Sequence, residues 1–280
     1  MHNDLGDFLR ARRELVTPAE AGLPPGNNLR RVPGLRREEV ALLAGISAEY
    51  YVRLEQGRDR GPSAQVVDAI ARALQLDTES TAYLMALAGP RTRRRDARPE
   101  PRVSPGLALL LRTVNVPAIV FDKYGDVLAA NPLAQELSPG MVPGVNRLRA
   151  LFTDPAAQNH HPDWEQYTAI SVAHLRARIG TETEDERLHA LIGEMSLKSD
   201  RFRQLWARHD VRTARSGNFL IRHPLVGDLE LLIEKFSVVG ADDLEALFLH
   251  TEPGSPSAEA LARLAASVTA DQGLLGRGQP

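Results

Sequence analysis

The sequence predicts a multidomain chain of α and α+β class. A five-helix domain covers residues 1–89, a linker 90–105, an α+β domain 106–270 and a disordered tail 271–280. Three observations carry this reading. Short stretches of helical periodicity, punctuated by Pro, Gly and capping residues, fill the first ninety positions. A Pro- and Arg-rich stretch from Pro90 to Pro101 then breaks all periodicity. Beyond it, strand-like segments with partial alternation flank a long helical region, the pattern of a five-stranded antiparallel sheet with a helical insertion.

Helix by helix, Asp4 to Leu15 places Leu5, Phe8, Leu9 and Arg12 at helical spacing. A loop follows from Thr17 to Gly34, holding Pro18, Pro24, Pro25, Gly26 and Pro33. Two further helices occupy Leu35–Leu43 and Ser47–Gln56. Ser63 caps a fourth, with Val67, Ile70, Ala71 and Leu74 on one face, and Asp77 caps a fifth that ends at Gly89-Pro90. In the second domain Leu107–Thr113 reads as a short helix. Strands Ala118–Asp122 and Asp126–Ala130 flank the turn Lys123-Tyr124-Gly125, and Asn131-Pro132 opens a helix. Residues 146–208 are mostly helical. Phe219–Arg222, Leu229–Val239 and Leu244–His250 read as strands, and a last helix starts near Ser255-Pro256.

Composition narrows the function classes. The chain has 280 residues, 43% of them hydrophobic and 25% charged, an ordinary globular balance that lets each half bury a core. Cysteine is absent, which excludes disulfides, thiol catalysis and zinc fingers and fits a reducing cytoplasm. No apolar run approaches the roughly 18 residues of a membrane span, and the N-terminus lacks a signal-peptide pattern, so no membrane partner is expected. Residues 1–100 carry 16 arginines against 14 carboxylates, whereas the remainder is net acidic, a weak asymmetry of the sign a DNA-binding first half needs.

The strongest signal lies between Arg37 and Leu54. Helices cross closely only where the residue at the crossing is small, and Ala41 holds that place. Four residues on, Gly45 supplies the positive φ of a sharp turn. Val40, Ile46, Tyr51 and Leu54 then share an apolar seam, and Ser47 stands where the second helix needs an N-cap. The pattern reads as a helix-turn-helix; an ordinary helical hairpin is the plain alternative. In a helix-turn-helix the second helix enters the major groove, with Ala48, Glu49, Val52 and Arg53 facing out. Arg53 is the candidate for guanine, Ala48 for a thymine methyl and Glu49 for a cytosine amine. Tyr50 serves either phosphate contact or packing. Ser47 brings the helix start to a phosphate, and Arg36 and Arg37, with Arg30 and Arg31, hold the backbone, as do Arg58 and Arg60. Glu55 is expected to pair with a nearby arginine.

The stretch Arg31–Ala41 (RVPGLRREEVA), followed by Tyr50–Arg58 (YYVRLEQGR), resembles the XRE-type helix-turn-helix of MmyB-like regulators. So does the proline-rich loop before it. In the second half Asp154, Asp163-Trp164-Glu165, Phe202–Val211 (FRQLWARHDV) and Thr251–Ala258 (TEPGSPSA) are similar to the same family. The resemblance implies a five-helix DNA-binding domain, a PAS-like domain, homodimers and fatty-acid-like ligands. It departs at Gly217–Arg222. There the family often has a basic residue or paired histidines, and this chain reads Asn218-Phe219-Leu220-Ile221-Arg222-His223.

A PAS-like sheet leaves a pocket between its concave face and the crossing helices. Phe121, Phe152, Trp164, Tyr167, Leu205, Trp206 and Phe236 are the apolar candidates to line it. Asn131, Asn146, Arg149, His209 and Arg212 are the polar ones, an arginine there suiting a carboxylate. His160-His161 and His209-Asp210 lack the spacing of metal ligands, so no metal is expected. No hydrolase, phosphate-loop or zinc-protease motif is present, so no enzyme and no cofactor are expected beyond a bound apolar ligand. The expected function is a sequence-specific DNA-binding transcriptional regulator whose ligand modulates operator affinity. The alternatives are a DNA-binding protein whose second domain only dimerises, and an enzyme or carrier with a helical dimerisation domain.

Overall fold

The computed structural model describes residues 4–24, 33–59, 61–89, 102–179, 185–213, 216–241 and 243–275. Arg30, Arg31, Arg60 and most of the expected linker lie outside the described residues. The chain divides into two compact units. The first holds residues 1–95 together with 172–187 and 203–213, and the second holds 96–171, 188–202 and 214–280.

The first unit opens with α1 (Asp4–Leu15), α2 (Arg37–Ala44), α3 (Ala48–Glu55), α4 (Ala64–Ala73) and α5 (Thr78–Ala88). Each start has a local cause. Ser47, Ser63 and Asp77 accept hydrogen bonds from the amides of Tyr50, Val66 and Ser80, and so cap α3, α4 and α5. Gly45 ends α2 at φ +66°, and its amide reaches back to the α2 carbonyls. The core is Phe8, Leu9, Leu35, Val40, Tyr51, Leu54, Ile70, Leu74 and Leu84, all buried. Ala41 is buried at the α2 crossing, and Gly34 lets the loop press onto α1: a Cβ there would lie 2.5 Å from the Glu14 carbonyl oxygen.

The second unit is built on a five-stranded antiparallel sheet of order β2-β1-β5-β4-β3. Its strands are β1 (Ala118–Asp122), β2 (Val127–Ala130), β3 (Ser216–His223), β4 (Gly227–Ser237) and β5 (Leu244–His250). The Asp122 carboxylate accepts from the amides of Tyr124 and Asp126, and Gly125 takes φ +90°, which makes the expected turn between β1 and β2. Alternation sends the two sets of side chains to opposite faces. On one face Ile119, Phe121, Phe219, Ile221, Leu229, Leu231, Leu247 and Leu249 pack under α7 (Pro132–Leu137) and α13 (Pro256–Leu275). On the other, Ala118, Val120, Leu244 and Ala246 pack under Leu107 and Leu111 of α6 (Pro105–Thr113).

The insertion between β2 and β3 supplies α7, α8 (Arg147–Thr153), α9 (Ala156–His160), α10 (Trp164–Ile179), α11 (Glu186–Lys198) and α12 (Asp200–Ala207). Helix α10 begins in the second unit and ends in the first. Three expectations need correction. Strand β3 starts before Phe219 and ends at His223, and β4 starts at Gly227. Helix α13 continues to Leu275, into the stretch 271–280 expected as a disordered tail.

Candidate functional site

In the first unit, α2 and α3 meet as the sequence predicts. Tyr51 and Leu54 point into the core, while Glu49 is exposed and Ala48, Val52 and Arg53 are half-buried on the outer side. Arg53 stands over the Tyr50 ring, 5.6 Å from its centroid, and lies 3.4 Å from Glu49. That ion pair is exposed and therefore cheap to break, at about 0–1 kcal/mol, so the guanidinium is available to a groove. Arg36 and Arg58 are exposed, and the Arg36 amide donates to Glu39 at 2.7 Å. Ser47 is exposed at the start of α3.

Arg37 is differently employed. Its guanidinium lies 2.8 Å from Glu55, whose carboxylate has no exposure and also accepts from Arg13 at 3.0 and 3.1 Å. Arg37 thus ties α2 to α3 through a buried anion, with Arg13 tying in α1. Burial alone would raise the Glu55 pKa, but the hydrogen bonds from Arg13 and Arg37 outweigh it and hold the carboxyl below its ordinary value. Glu55 pairs with arginines, as the sequence suggests. Arg37, expected on a phosphate, is engaged by Glu55 with 41% of its side chain still exposed.

The second unit holds a partly open cavity of about 490 Å³, within the ~300–1,000 Å³ usual for small-molecule sites. Its walls come from three places: the end of α7 and the following turn (Leu137 to Met141), one side of α8 and α9 (Arg147, Leu151, Ala157), and the β3–β4 hairpin (Phe219, Arg222 to Leu225). His160, His161 and Tyr167 complete it. The Tyr167 ring packs on His161 and Phe219, at 4.8 and 4.7 Å between centroids.

Arg147 and Arg222 both line this cavity, as do Glu136 and Asp154. The Nη2 of Arg147 donates to the Tyr167 hydroxyl at 3.1 Å, and its guanidinium lies over the Phe121 ring at 4.9 Å. No carboxylate among the described residues pairs with it. Arg222, the other lining arginine, is held by Asp228 at 2.9 Å. His223 donates from Nε2 to the Glu136 carbonyl and accepts the Leu225 amide at Nδ1, which fixes the hairpin at the rim.

Of the residues expected to line the pocket, the structure brings Tyr167 to it and places the others elsewhere. Phe121 lies in the core beneath Arg147. Asn131 caps α7 and bonds the backbone at Ala118 and Val116, and Asn146 caps α8 and bonds Tyr124 and Asp126. Arg149 pairs with Glu194 at 2.8 Å, holding that carboxylate down at about 2 by hydrogen bonding. Phe152 packs edge-on against Trp164 and Phe202, and the Trp164 indole donates to the Leu151 carbonyl, so these aromatics back the wall rather than face the cavity. Phe236 pairs with Phe248 on the α6 side of the sheet.

Leu205, Trp206, His209 and Arg212 belong to the first unit. Arg176 of α10 stacks on the Trp206 ring at 3.8 Å and bonds the Trp206 carbonyl and the His209 ring. Burial lowers the Arg176 pKa, and Tyr83 of α5 opposes that shift. His209, at φ +54°, lies edge-on to Phe8, and Arg12 of α1 pairs with Asp210 at 2.6 Å. Residues expected to hold a ligand therefore clasp α1 and α5 within the helical unit.

Missed from sequence were Arg147, His160, His161 and the hairpin His223–Leu225. Arg147 had a signal: it lies four residues before Leu151, on the same side of α8. Among the described residues no cluster of His, Asp or Glu could hold a metal ion, and no helix is long and apolar enough to cross a membrane.

Comparison with known families finds a match in each half of the chain. Residues 103–264 match the model of the MmyB-like transcription regulator ligand binding domain, and residues 4–84 match a helix-turn-helix domain model. No curated protein matches the chain.

Proposed function

The chain belongs to the MmyB-like transcription regulators, with a helix-turn-helix domain ahead of a ligand-binding domain, and from that premise we propose that an apolar carboxylic acid of fatty-acid type binds the cavity and changes operator affinity. The observation that carries the proposal is Arg147, a guanidinium without a carboxylate partner on the wall of an otherwise largely apolar cavity. A charge-assisted, bidentate bond to a carboxylate is the interaction such a group is shaped for. The chain acts as a homodimer in the cytoplasm, reading two half-sites one helical turn apart through Arg53, Ala48 and Glu49, with Arg36, Ser47, Arg58 and Arg60 on phosphates. Exposed Leu109, Leu110 and Phe236 on the α6 side of the sheet support self-association. It is not an enzyme.

Tyr167 of α10 touches Arg147 and lines the cavity. Calorimetric titration with dodecanoate tests the ligand reading. The parent binds, and Arg147→Met weakens binding about 10- to 150-fold, the worth of a charged hydrogen bond of about 1.5–3 kcal/mol. Equal affinity of parent and variant would remove Arg147 as the carboxylate anchor.

A further inference from the structure

The two ends of the cavity differ. The inner end is the sheet. There the Arg147 guanidinium lies 4.9 Å over Phe121, a core ring that is 4% exposed. It also bonds the Tyr167 hydroxyl, and the Tyr167 ring packs on the equally buried Phe219. The open side is a lip of exposed residues. Glu136 from α7, Asp154 after α8 and Arg222 of β3 line the cavity, and all three are exposed. Arg222 is neutralised by Asp228 at 2.9 Å, so the lip keeps the negative charge of Glu136 and Asp154.

Leu225 stands on the same lip, in the β3–β4 turn. It lines the cavity yet is 69% exposed. Among the described residues no other large apolar side chain of the lining is exposed to that class. Its backbone is tied down. His223 accepts the Leu225 amide at 3.3 Å and is bound to the Glu136 carbonyl at 3.0 Å. A lone leucine scattered on a surface needs no cover. One on the lip of a largely apolar cavity offers further apolar contact to a chain that leaves the cavity there.

Charge selects the direction of such a chain. A carboxylate left at the lip faces Glu136 and Asp154, which repel it. At the inner end it meets a half-buried guanidinium, where the attraction is less screened. Resting on the reading of the cavity as a carboxylate site, we propose that the acid enters head-first, carboxylate on Arg147, and that its tail leaves over Leu225. The site then takes free acids and rejects acids joined through their carboxyl to a carrier. It tolerates substituents at the far end of the chain, and Leu225 helps to set the preference for chain length.

The test is titration of the full chain at pH 7.5 with four probes below their micellar concentrations: octanoate, dodecanoate, 12-hydroxydodecanoate and 12-(dansylamino)dodecanoate. Calorimetry on the parent is expected to place both substituted acids within tenfold of dodecanoate. Arg147→Met is expected to weaken the dansyl acid as it weakens dodecanoate. Octanoate is read by displacement of the dansyl acid. Leu225→Ser is expected to narrow the preference for dodecanoate over octanoate about fivefold, the worth of covering roughly 40 Å² of apolar surface. Dodecanoate that binds while either substituted acid is more than tenfold weaker overturns this inference and leaves the carboxylate reading standing. So does a dansyl acid indifferent to Arg147→Met when dodecanoate is not, because the dye would then hold it. A chain-length preference unchanged in Leu225→Ser overturns the role of Leu225; should that variant not fold, the substituted acids on the parent decide alone. No binding of any probe overturns both readings.

Discussion

Glu55→Gln removes one charge from the middle of the helical unit and leaves its shape. The carboxylate it replaces has no solvent exposure and accepts from Arg13 at 3.0 and 3.1 Å and from Arg37 at 2.8 Å. Arg37 is half-exposed and can turn to water, but Arg13 is 7% exposed and cannot. The substitution therefore strands a buried guanidinium, and breaking such a pair costs about 3–5 kcal/mol. Glutamine keeps one acceptor oxygen, so the lower end, about 3 kcal/mol, is expected. Domains have only about 5–15 kcal/mol in all. With about 4–8 °C lost per kcal/mol in a domain of 60–100 residues, the melting midpoint falls by roughly 12–24 °C. Circular dichroism of parent and variant measures it. A pH series adds a signed check. The Glu55 pKa is lowered on folding, so its contribution is complete above the unfolded value near ~4.3 and fades as pH drops through the folded value. The two melting curves should therefore converge in acid and stay apart at neutral pH. A loss under about 1 kcal/mol at pH 7, or a gap that widens on acidification, would refute the reasoning.

Other substitutions separate reading surface from scaffold. Arg53→Ala should weaken operator binding by about 1–3 kcal/mol and relax base preference at one position, seen by fluorescence anisotropy on a set of operator variants; unchanged preference would place Arg53 off the bases. Gly45→Ala meets open space and should cost only the strain of its positive φ, about 1–2 kcal/mol, whereas Gly34→Ala drives a Cβ into the α1 backbone and should cost more in urea unfolding. Phe236→Ser, on the far face of the sheet from the cavity, should leave dodecanoate affinity unchanged in calorimetry and loosen the dimer in sedimentation.

Much of the fold was legible because its causes are local. Ser47, Ser63 and Asp77 each cap an amide three residues away, and Gly45 makes its turn alone. Asn131 and Asn146 carried the same capping signal, and reading it would have removed them from the pocket. The cavity was less legible because it joins distant pieces of chain, many of them small residues such as Ser138, Gly140 and Ala157 that advertise no chemistry. Arg147 and Arg149 are two residues apart on α8, roughly 200° around the helix, and only packing decides which faces the cavity. Trp206 and His209 look like ligand residues by type, yet they pack on Arg176 and Phe8. Aromatic character in sequence does not say what the ring will touch.

The account turns on whether the cavity and the reading helix share one free energy. An operator selected from random DNA, titrated with the parent protein with and without saturating acid at fixed salt, measures that directly. The account predicts a change of about 5- to 150-fold in operator affinity, with the same factor appearing in acid affinity when DNA is bound, because linkage is reciprocal. Acid that binds by calorimetry yet leaves operator affinity unmoved would contradict it.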